Sequence, residues 1–520
     1  MSKIVKGKYP YKEEKKESKK IEEMLKTEKE FFVRMFADNE KKNVIHGSNT
    51  SAYKNEFKKS FREELEARRV KLKEKILKYT PDDAGNIECF VKAYGKYVKY
   101  NCDDKHFYVW TGILWLKDTQ NVVPLWCSTV MKARRDYMLD ALQGSDGDCD
   151  DLLRHAKKCA NQSSIRAMIE GLKSTLSCNS SIFDKDPSLL NVLNGTIDLK
   201  TGRLYDHDHE RLITKLAPVR YNTSAESETF SKFLKDTFED KHLIQYVHKL
   251  FGYCVTGETS EQVVHFFIGN GANGKSTLLS AVRHVMNDYA AVVPSKVLID
   301  RERSGGTSSE IAQLTHKRLA CCSELNCTDA LNEGKFKIMS SGETISAREL
   351  FTSAFTYDPE FKFIIDTNYL PIVGGTDHGI WRRIRIVPFE HTVSKENLNK
   401  NLLSELKRDS TAILNWLVKG AVKYYAEGLG TCEIVEKATK KYRKSQDTLG
   451  AFIDSCIKKE NGAEVRARAL YEAYIDFCSD NLLSAMSETK FGKDFAARGY
   501  KRGKDKISRK YLDISLKKVV

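Results

Sequence analysis

The chain has 520 residues, too many for one hydrophobic core, so roughly three or four domains are expected. Its hydrophobic content of 41% and charged content of 30% exclude a disordered or fibrous protein, and no apolar run is long enough to span a bilayer. The 86 Lys and Arg against 71 Asp and Glu leave a net charge of +15, which favours nucleic acid as a partner over an anionic membrane surface.

The first residues lack the apolar stretch of a secretory signal peptide. The 13 cysteines include no C-x-x-C pair, so reduced thiols in apolar segments are expected. Both observations predict a protein of the cytosol or an equivalent compartment.

Residues 1–80 are rich in Lys and Glu, with apolar residues at helical spacing, which predicts a basic region of two amphipathic helices. The apolar sets are Ile21, Met24, Leu25, Phe31, Phe32 and Met35, then Tyr53, Phe57, Phe61 and Leu65. Solvated faces of ordinary surface helices are the favoured interpretation. The alternative is a charged arm that contacts DNA or a neighbouring subunit.

Residues 81–230 mix helical and strand patterns, which predicts an α+β domain. Two β-hairpins are expected, over Phe107–Trp115 with a turn at Gly112 and over Thr196–Tyr205 with a turn at Gly202. The polar stretch Asn222–Thr229 is the best linker candidate. A domain boundary between about 225 and 230 follows.

A phosphate-binding loop begins directly after an apolar strand that starts at Val263. Its signature is Gly269-x-x-x-x-Gly274-Lys275-Ser276, followed by a helix-forming segment. Backbone N–H groups of such a loop point at phosphates, the lysine adds a positive charge, and the serine hydroxyl ligates Mg²⁺. The predicted ATP-binding residues are Gly269, Asn270, Gly271, Ala272, Asn273, Gly274, Lys275, Ser276 and Thr277.

Two later strands end in polar residues that suit nucleotide hydrolysis. The strand Arg318–Glu324 ends in a carboxylate, which predicts that Glu324 polarises the attacking water and holds the Mg²⁺ shell together with Ser276. The strand Phe361–Asn368 ends in an amide, which predicts that Asn368 contacts the γ-phosphate and the water.

A pair of arginines, Arg382 and Arg383, precedes a further strand. An arginine near the core that points away from its own phosphate loop suits a finger that reaches a neighbouring subunit's nucleotide. Which of the two is the finger stays open. With Lys275, Glu324 and Asn368, they form the predicted catalytic set and the layout of a compact AAA+ module, here residues 231–430.

Several short motifs resemble superfamily 3 helicases of the poxvirus and phage primase-helicase type, over roughly residues 81–520. They include Lys337, the run Ser340, Ser341, Gly342 and Glu343, then Ser346, Ala347 and Arg348, the pair Asn368 and Pro371, and Trp381 before the arginines. Upstream they include Asp83, Gly85 and Asn86, then Trp110, Gly112 and Trp115, then Leu193, Asn194, Gly195 and Asp198.

The resemblance implies a homo-hexameric, ATP-driven translocase on single-stranded DNA that unwinds forked duplexes, usually in the 3′ to 5′ direction. The resemblance also implies that the protein belongs to a virus, phage or mobile element and acts in a bacterial cytoplasm or at a viral replication site. The segment Ile345–Tyr357 matches the family's channel hairpin, so Lys337 and Arg348 become candidate DNA contacts. One departure is that many such motors carry two adjacent acids where this chain has Ser323 and Glu324.

The C-terminal residues 445–520 carry the pattern of a winged-helix DNA-binding domain. A helix with Leu470, Tyr474 and Phe477 precedes a second helix between Ser487 and Gly499, and two strands around Gly503 follow. The candidate DNA contacts are Lys490, Lys493, Arg498, Lys501 and Arg502. A winged helix that binds protein instead is the alternative.

The predicted fold is therefore α/β, with an AAA+ P-loop core between an α+β domain and a winged-helix domain, after a helical N-terminal region. No primase domain is expected, because the residues before 81 are too few and lack clustered metal-binding acids. A primase or polymerase acting in trans is a further expected partner. Competing functions are a DNA-bound ATPase switch that does not unwind DNA and a kinase.

Overall fold

The protein is described here by a computed structural model. It describes residues 79–142, 150–159, 161–299, 307–323, 325–326, 329–348, 354–374, 378–392, 399–481, 483, 485–504 and 509–517. The two helices expected within residues 1–80 lie outside these ranges, as does Glu324. The predicted α/β class is confirmed in the described part of the chain, which combines helices with a parallel sheet.

The first region packs helices against a small sheet. Its helices are α1 (Asp83–Tyr94), α2 (Val122–Leu142), α3 (Asp150–Cys159) and α4 (Gln162–Thr175). Its strands are β1 (Val98–Asn101), β2 (His106–Trp110), β3 (Trp115–Lys117) and β4 (Ser177–Cys178), in the order β3-β2-β1-β4. The pairing of Trp110 with Trp115 confirms the first predicted hairpin.

A second, antiparallel sheet follows. Its strands are β5 (Leu189–Val192), β6 (Gly195–Asp198) and β7 (Arg203–Tyr205). The pairing of Thr196 with Tyr205 confirms the second predicted hairpin.

The central region is built around a five-stranded parallel sheet in the order β14-β8-β13-β10-β9. Its strands are β8 (Val264–Ile268), β9 (Ala290–Pro294), β10 (Leu319–Ser323), β13 (Lys362–Thr367) and β14 (Ile384–Pro388). A separate antiparallel pair consists of β11 (Ile345–Ala347) and β12 (Phe355–Tyr357). Four of the five residues of β8 are buried, as expected for a parallel strand covered on both faces.

Helices cover this sheet and connect its strands. They are α5 (Glu228–Phe238), α6 (Lys241–Val255), α7 (Lys275–Met286), α8 (Thr307–Ala312), α9 (Glu333–Ser341), α10 (His378–Trp381), α11 (Leu402–Arg408), α12 (Ser410–Glu427) and α13 (Glu433–Gln446). Helices α6 and α12 meet at two glycines. A Cβ on Gly252 would lie 2.0 Å from the carbonyl carbon of Gly420, so the two backbones touch without room for a side chain.

The second sheet shares its hydrophobic core with the central region. Buried residues of β5 and β6, such as Leu190 and Ile197, belong to one cluster with Phe230 of α5 and Ile413 of α12. The Asn415 side chain also donates to the carbonyl oxygens of Thr223 and Ala225, at 2.9 Å each. The boundary predicted at about residue 230 therefore falls inside a continuous core, and Asn222–Thr229 is anchored to a helix.

The C-terminal region is a small unit with its own core. Its elements in chain order are α14 (Thr448–Cys456), β15 (Ile457–Arg466), α15 (Ala467–Asp480), α16 (Glu488–Ala497), β16 (Arg502–Lys504) and β17 (Arg509–Leu516), with the strands in the order β15-β17-β16. One expectation was wrong in detail. Gly503 lies inside β16, paired with Lys510, and does not separate the two strands.

Candidate nucleotide-binding site

The loop between β8 and α7 is shaped by its glycines. Gly271 and Gly274 have φ angles of 95° and 84°, a backbone region that other residues rarely adopt. A Cβ on Gly269 would lie 2.1 Å from Nδ2 of Asn273 and 2.4 Å from the carbonyl oxygen of Phe389. The loop therefore wraps tightly at the carboxyl end of β8, the arrangement that presents backbone N–H groups to phosphate oxygens.

Lys275 is the first residue of α7 and is buried, with 4% of its surface exposed. Its Nζ donates to the carbonyl oxygen of Gly269 at 2.8 Å and to Oδ1 of Asn273 at 3.1 Å. Burial lowers the pKa of Lys275, and the carboxylate of Asp366 opposes this shift. The ammonium group is thus held across the loop by oxygens that phosphate oxygens could replace.

Asn368 reaches the same point from the neighbouring strand. It follows β13, which pairs in parallel with β8, and the carboxyl ends of parallel strands share one edge of a sheet. Its Oδ1 accepts a hydrogen bond from Nζ of Lys275 at 3.2 Å. The two residues predicted to contact the terminal phosphates are therefore in contact with each other.

Asp366 is a site residue that the sequence reasoning missed. Its Oδ2 accepts a hydrogen bond from Oγ of Ser276 at 2.7 Å, and its Oδ1 lies 4.0 Å from Nζ of Lys275. The available signal was strand periodicity, since residues two apart in a strand lie on the same face. Asp366 stands two residues before Asn368 and shares its access to the loop.

The predicted catalytic carboxylate, Glu324, lies outside the described residues, so its role stays a prediction. Its strand is present: β10 ends at Ser323 and pairs with β13 on one side and β9 on the other. Ser323 is the register partner of Asp366. The strand therefore ends at the same sheet edge as the phosphate loop.

The two arginines lie at the opposite edge of the sheet, because they precede β14, which runs parallel to β8. Arg382 is exposed, and its Nη2 donates to Oε1 of Gln262 at 3.0 Å. Arg383 is 8% exposed, and its Nη1 donates to the carbonyl oxygen of Gly379 at 2.6 Å. The structure thus separates one accessible arginine from one enclosed by its own subunit, and neither lies beside the chain's own loop.

The candidate DNA contacts of the central region lie near the β11–β12 pair. The strands of this pair have the bounds expected for the hairpin Ile345–Tyr357. Arg348 directly follows β11 and is exposed, whereas Lys337 is half-buried on α9. The residues 349–353 between the strands lie outside the described residues.

Three of the five candidate DNA contacts of the C-terminal region have partners within the chain. Lys490 donates from Nζ to the carbonyl oxygen of Gly374 at 2.6 Å, which links α16 to the central region. Arg498 pairs with Asp447, and Nε of Arg502 donates to the Tyr511 hydroxyl at 3.3 Å. The remaining two, Lys493 and Lys501, are exposed.

Family models match three successive parts of the chain. A D5 N-terminal-like family matches residues 88–239, a family of unknown function matches residues 267–383, and a poxvirus D5 protein-like family matches residues 444–511. The first and third of these matches, together with the relatives below, support a D5-type primase-helicase family for this chain. The second of these matches begins at the end of β8 and ends at Arg383, and so contains the phosphate loop, Asn368 and both arginines.

Several relatives of this chain come from large DNA viruses. It is 29% identical over 301 residues to a candidate helicase of Acanthamoeba polyphaga mimivirus, covering 54% of this chain and 31% of the relative. It is 26% identical over 331 residues to a candidate primase of African swine fever virus, covering 58% of this chain and 34% of the relative. It is 25% identical over 274 residues to a candidate helicase of Frog virus 3, covering 48% and 28%.

The chain thus spans about a third of the length of these curated relatives. Among solved structures, the apo C-terminal region of NrS-1 is 10% identical with a TM-score of 0.42, over 80% of this chain and 95% of that chain. Within the described part of the chain, every helix is too short or too polar to cross a membrane.

Proposed function

We propose that this chain is an ATP-dependent DNA helicase that serves replication of a virus, phage or mobile element. The observation that carries the proposal is the contact of Lys275 with both the phosphate loop and Asn368 at the edge where parallel strands end. Ligands of open α/β sheets bind at this edge. The matches to D5-type families then favour a nucleic-acid motor over other users of ATP.

In the proposed site, the backbone from Gly269 to Thr277 surrounds the phosphates of ATP. Lys275 binds the terminal phosphates, and Asn368 orients the γ-phosphate and the attacking water. Glu324 is proposed to accept the proton of that water. The buried position of Lys275 strengthens its attraction to phosphate, since little water screens the charge.

The site also fits Mg²⁺. The Ser276 hydroxyl is exposed at the start of α7, beside a carboxylate, and both are hard oxygen donors of the kind that Mg²⁺ prefers. Ser276 and Glu324 are proposed to hold the ion together with the phosphates. When bound, the ion neutralises charge on the β- and γ-phosphate oxygens.

The arginine geometry supports a ring in which each nucleotide lies between two subunits. Arg382 is accessible and lies at the sheet edge away from its own loop, so we propose that it completes the site of the adjacent subunit in a homo-hexamer. Arg383, also a candidate, is enclosed within its own subunit. The central region is proposed to be an AAA+ module of the superfamily 3 type.

Two regions are proposed to contact DNA. The β11–β12 hairpin with Lys337 and Arg348 would follow single-stranded DNA through the ring, in the 3′ to 5′ direction. The helix and strand order of residues 448–516 supports a winged helix, with Lys493 and Lys501 the most accessible basic contacts to duplex DNA. The proposed place of action is a cytoplasmic or viral replication site, with a primase or polymerase as partner in trans.

Two measurements test the proposal. ATP hydrolysis should rise strongly when single-stranded DNA is added, and a forked duplex should be unwound only with ATP and Mg²⁺. Stimulation without unwinding would favour the DNA-bound ATPase switch. ATP turnover that ignores DNA would favour a kinase, and Lys275→Ala with normal turnover would remove the site assignment altogether.

A further inference from the structure

A carboxylate on β13 lies where the hydrolysis site has one acid fewer than expected. Asp366 is the register partner of Ser323 on β10, the position just before the predicted catalytic residue Glu324. Superfamily 3 motors resembling this chain often have a second acid at that position, and Ser323 lacks one. The adjacent strand β13 therefore places Asp366 next to residue 323, the position where a second acid is expected.

The contacts of Asp366 point to the metal-binding side of the site. Its Oδ2 accepts the hydrogen of the Ser276 hydroxyl at 2.7 Å, whereas its Oδ1 is 4.0 Å from Nζ of Lys275. Its side chain is 14% exposed. A serine whose hydrogen is committed to a carboxylate keeps its oxygen lone pairs free for a metal ion.

We propose that Asp366 is the positioning residue for Mg²⁺ in this chain, in place of an acid at residue 323. It orients Ser276 by accepting the hydroxyl hydrogen, and its charge raises the affinity of the Ser276 oxygen for the ion. This inference rests on the proposed function, because it concerns the same ATP site. Asp366, on β13, thus joins the site as a positioning residue beside the expected ligands Ser276 and Glu324.

A structural role for Asp366 makes a different prediction. If the carboxylate served mainly as an ion-pair partner of Lys275, its removal would change the lysine with or without a metal ion. If it acts through Ser276, its removal changes only the part of ATP affinity that depends on Mg²⁺. ATP binding measured in both conditions separates the two roles.

The experiment measures binding of a fluorescent ATP analogue to the full chain in EDTA and in Mg²⁺. Asp366→Ala should bind the analogue in EDTA like the unmodified chain and lose about 10–100-fold in the affinity gained from Mg²⁺. Asp366→Asn, which keeps an oxygen acceptor and the side-chain shape, should lose less. Asp136→Asn is the matched control, because Asp136 is an exposed carboxylate on α2 whose partner is Arg135.

A double-mutant cycle tests whether Asp366 acts through Ser276. Ser276→Ala should reduce the gain from Mg²⁺, and adding Asp366→Ala should cause little further loss, since interacting residues are not additive. Mn²⁺ binding in the presence of ATP, measured by electron paramagnetic resonance, should weaken in Ser276→Ala and should weaken little further in the double variant. Fully additive losses would overturn the proposal.

Other outcomes are equally decisive. An unmodified chain that fails to bind the analogue in either condition would overturn the proposed function itself. Normal binding with an unchanged gain from Mg²⁺ in Asp366→Ala would overturn only the role of Asp366. An equal loss in EDTA and in Mg²⁺ would assign Asp366 to Lys275 or to the fold instead.

Discussion

The two edges of the five-stranded sheet each hold a buried lysine, and the two lysines have different surroundings. Lys275, at the carboxyl edge, is 4% exposed, and side-chain oxygens of Asn273 and Asn368 are among its acceptors. Lys362, at the amino edge, is 3% exposed and donates only to backbone, at Thr256 and Glu360, among its hydrogen bonds in the described residues. Its Nζ also lies 4.9 Å from the centre of the Tyr253 ring.

The contrast separates Lys275, the proposed ATP-binding lysine, from Lys362, whose surroundings are those of a structural lysine. Side-chain acceptors can move when a phosphate arrives, so Lys275 can exchange Asn273 and Asn368 for phosphate oxygens and keep its hydrogen bond to the Gly269 carbonyl oxygen. Backbone carbonyl oxygens at the start of a buried strand cannot move without disturbing the fold. Burial lowers the pKa of both lysines, so a lowered pKa alone does not identify a site.

The largest expected effect comes from Lys275→Ala. This change should reduce ATP hydrolysis to background and leave the thermal unfolding temperature nearly unchanged, because the lost hydrogen bonds involve replaceable acceptors. Lys362→Met should show the reverse, with a lower unfolding temperature and an ATP affinity close to normal in the folded fraction. ATP hydrolysis and the unfolding temperature, the latter by calorimetry, should be measured on both variants. If both changes lowered the same quantity, the distinction between the two lysines would be wrong.

The next largest effect concerns the arginines at the amino edge. Arg382→Ala subunits mixed with unmodified subunits in the proposed hexamer should reduce ATP turnover more steeply than their share, because a trans arginine contributes about 10³-fold or more to catalysis. Arg383→Ala should chiefly lower the unfolding temperature, because its side chain is enclosed and donates to Gly379. A decline in strict proportion to the Arg382→Ala fraction would contradict a shared site.

A pH dependence sharpens the comparison further. Burial lowers the pKa of Lys362 to about 7, well below that of an unfolded lysine. Between these two values the unfolded chain binds more protons, so the free energy of unfolding should rise with pH from about 7 to 9. The rise should be about 1–2 kcal/mol larger in the unmodified chain than in Lys362→Met. The free energy of unfolding is measured by urea titration at each pH. An equal rise with pH in the two proteins would rule out this assignment.

The smallest effect is expected at the link between α16 and the carboxyl edge. Lys490→Gln removes the hydrogen bond to the carbonyl oxygen of Gly374, in the loop that follows Asn368. The change should cost under about 1 kcal/mol and should raise amide hydrogen exchange in residues 372–374. Lys493→Gln, on an exposed part of the same helix, is the control and should leave that exchange unchanged.

The sequence predicted which residues lie together where a motif fixes both residue type and position. The glycine spacing placed Lys275, and the end of an apolar strand placed Asn368 at the same sheet edge. Asp366 was missed because it belongs to no motif. Strand periodicity places it on the same face as Asn368, but its position beside Ser323 depends on the register of β13 against β10, which is a tertiary property.

Charge alone was a weaker guide than spacing. The basic residues near the C-terminus were predicted as DNA contacts, yet Arg498 pairs with Asp447 across the small domain's own surface. The turns at Gly112 and Gly202 were predicted correctly, because local backbone demands decide them. The polar stretch Asn222–Thr229, which indicates a linker by composition, is anchored by the distant side chain of Asn415.

The shared core of the second sheet and the central region has a practical consequence for truncation. A fragment that begins at residue 231 would expose apolar surfaces of α6 and α12 that β5 and β6 cover in the full chain. Such a fragment should aggregate or bind hydrophobic dyes. A fragment that begins before Leu189 keeps β5 and β6 and so keeps this core closed. It is shorter than the full chain and is the unit to express when the proposed ATP site is studied alone.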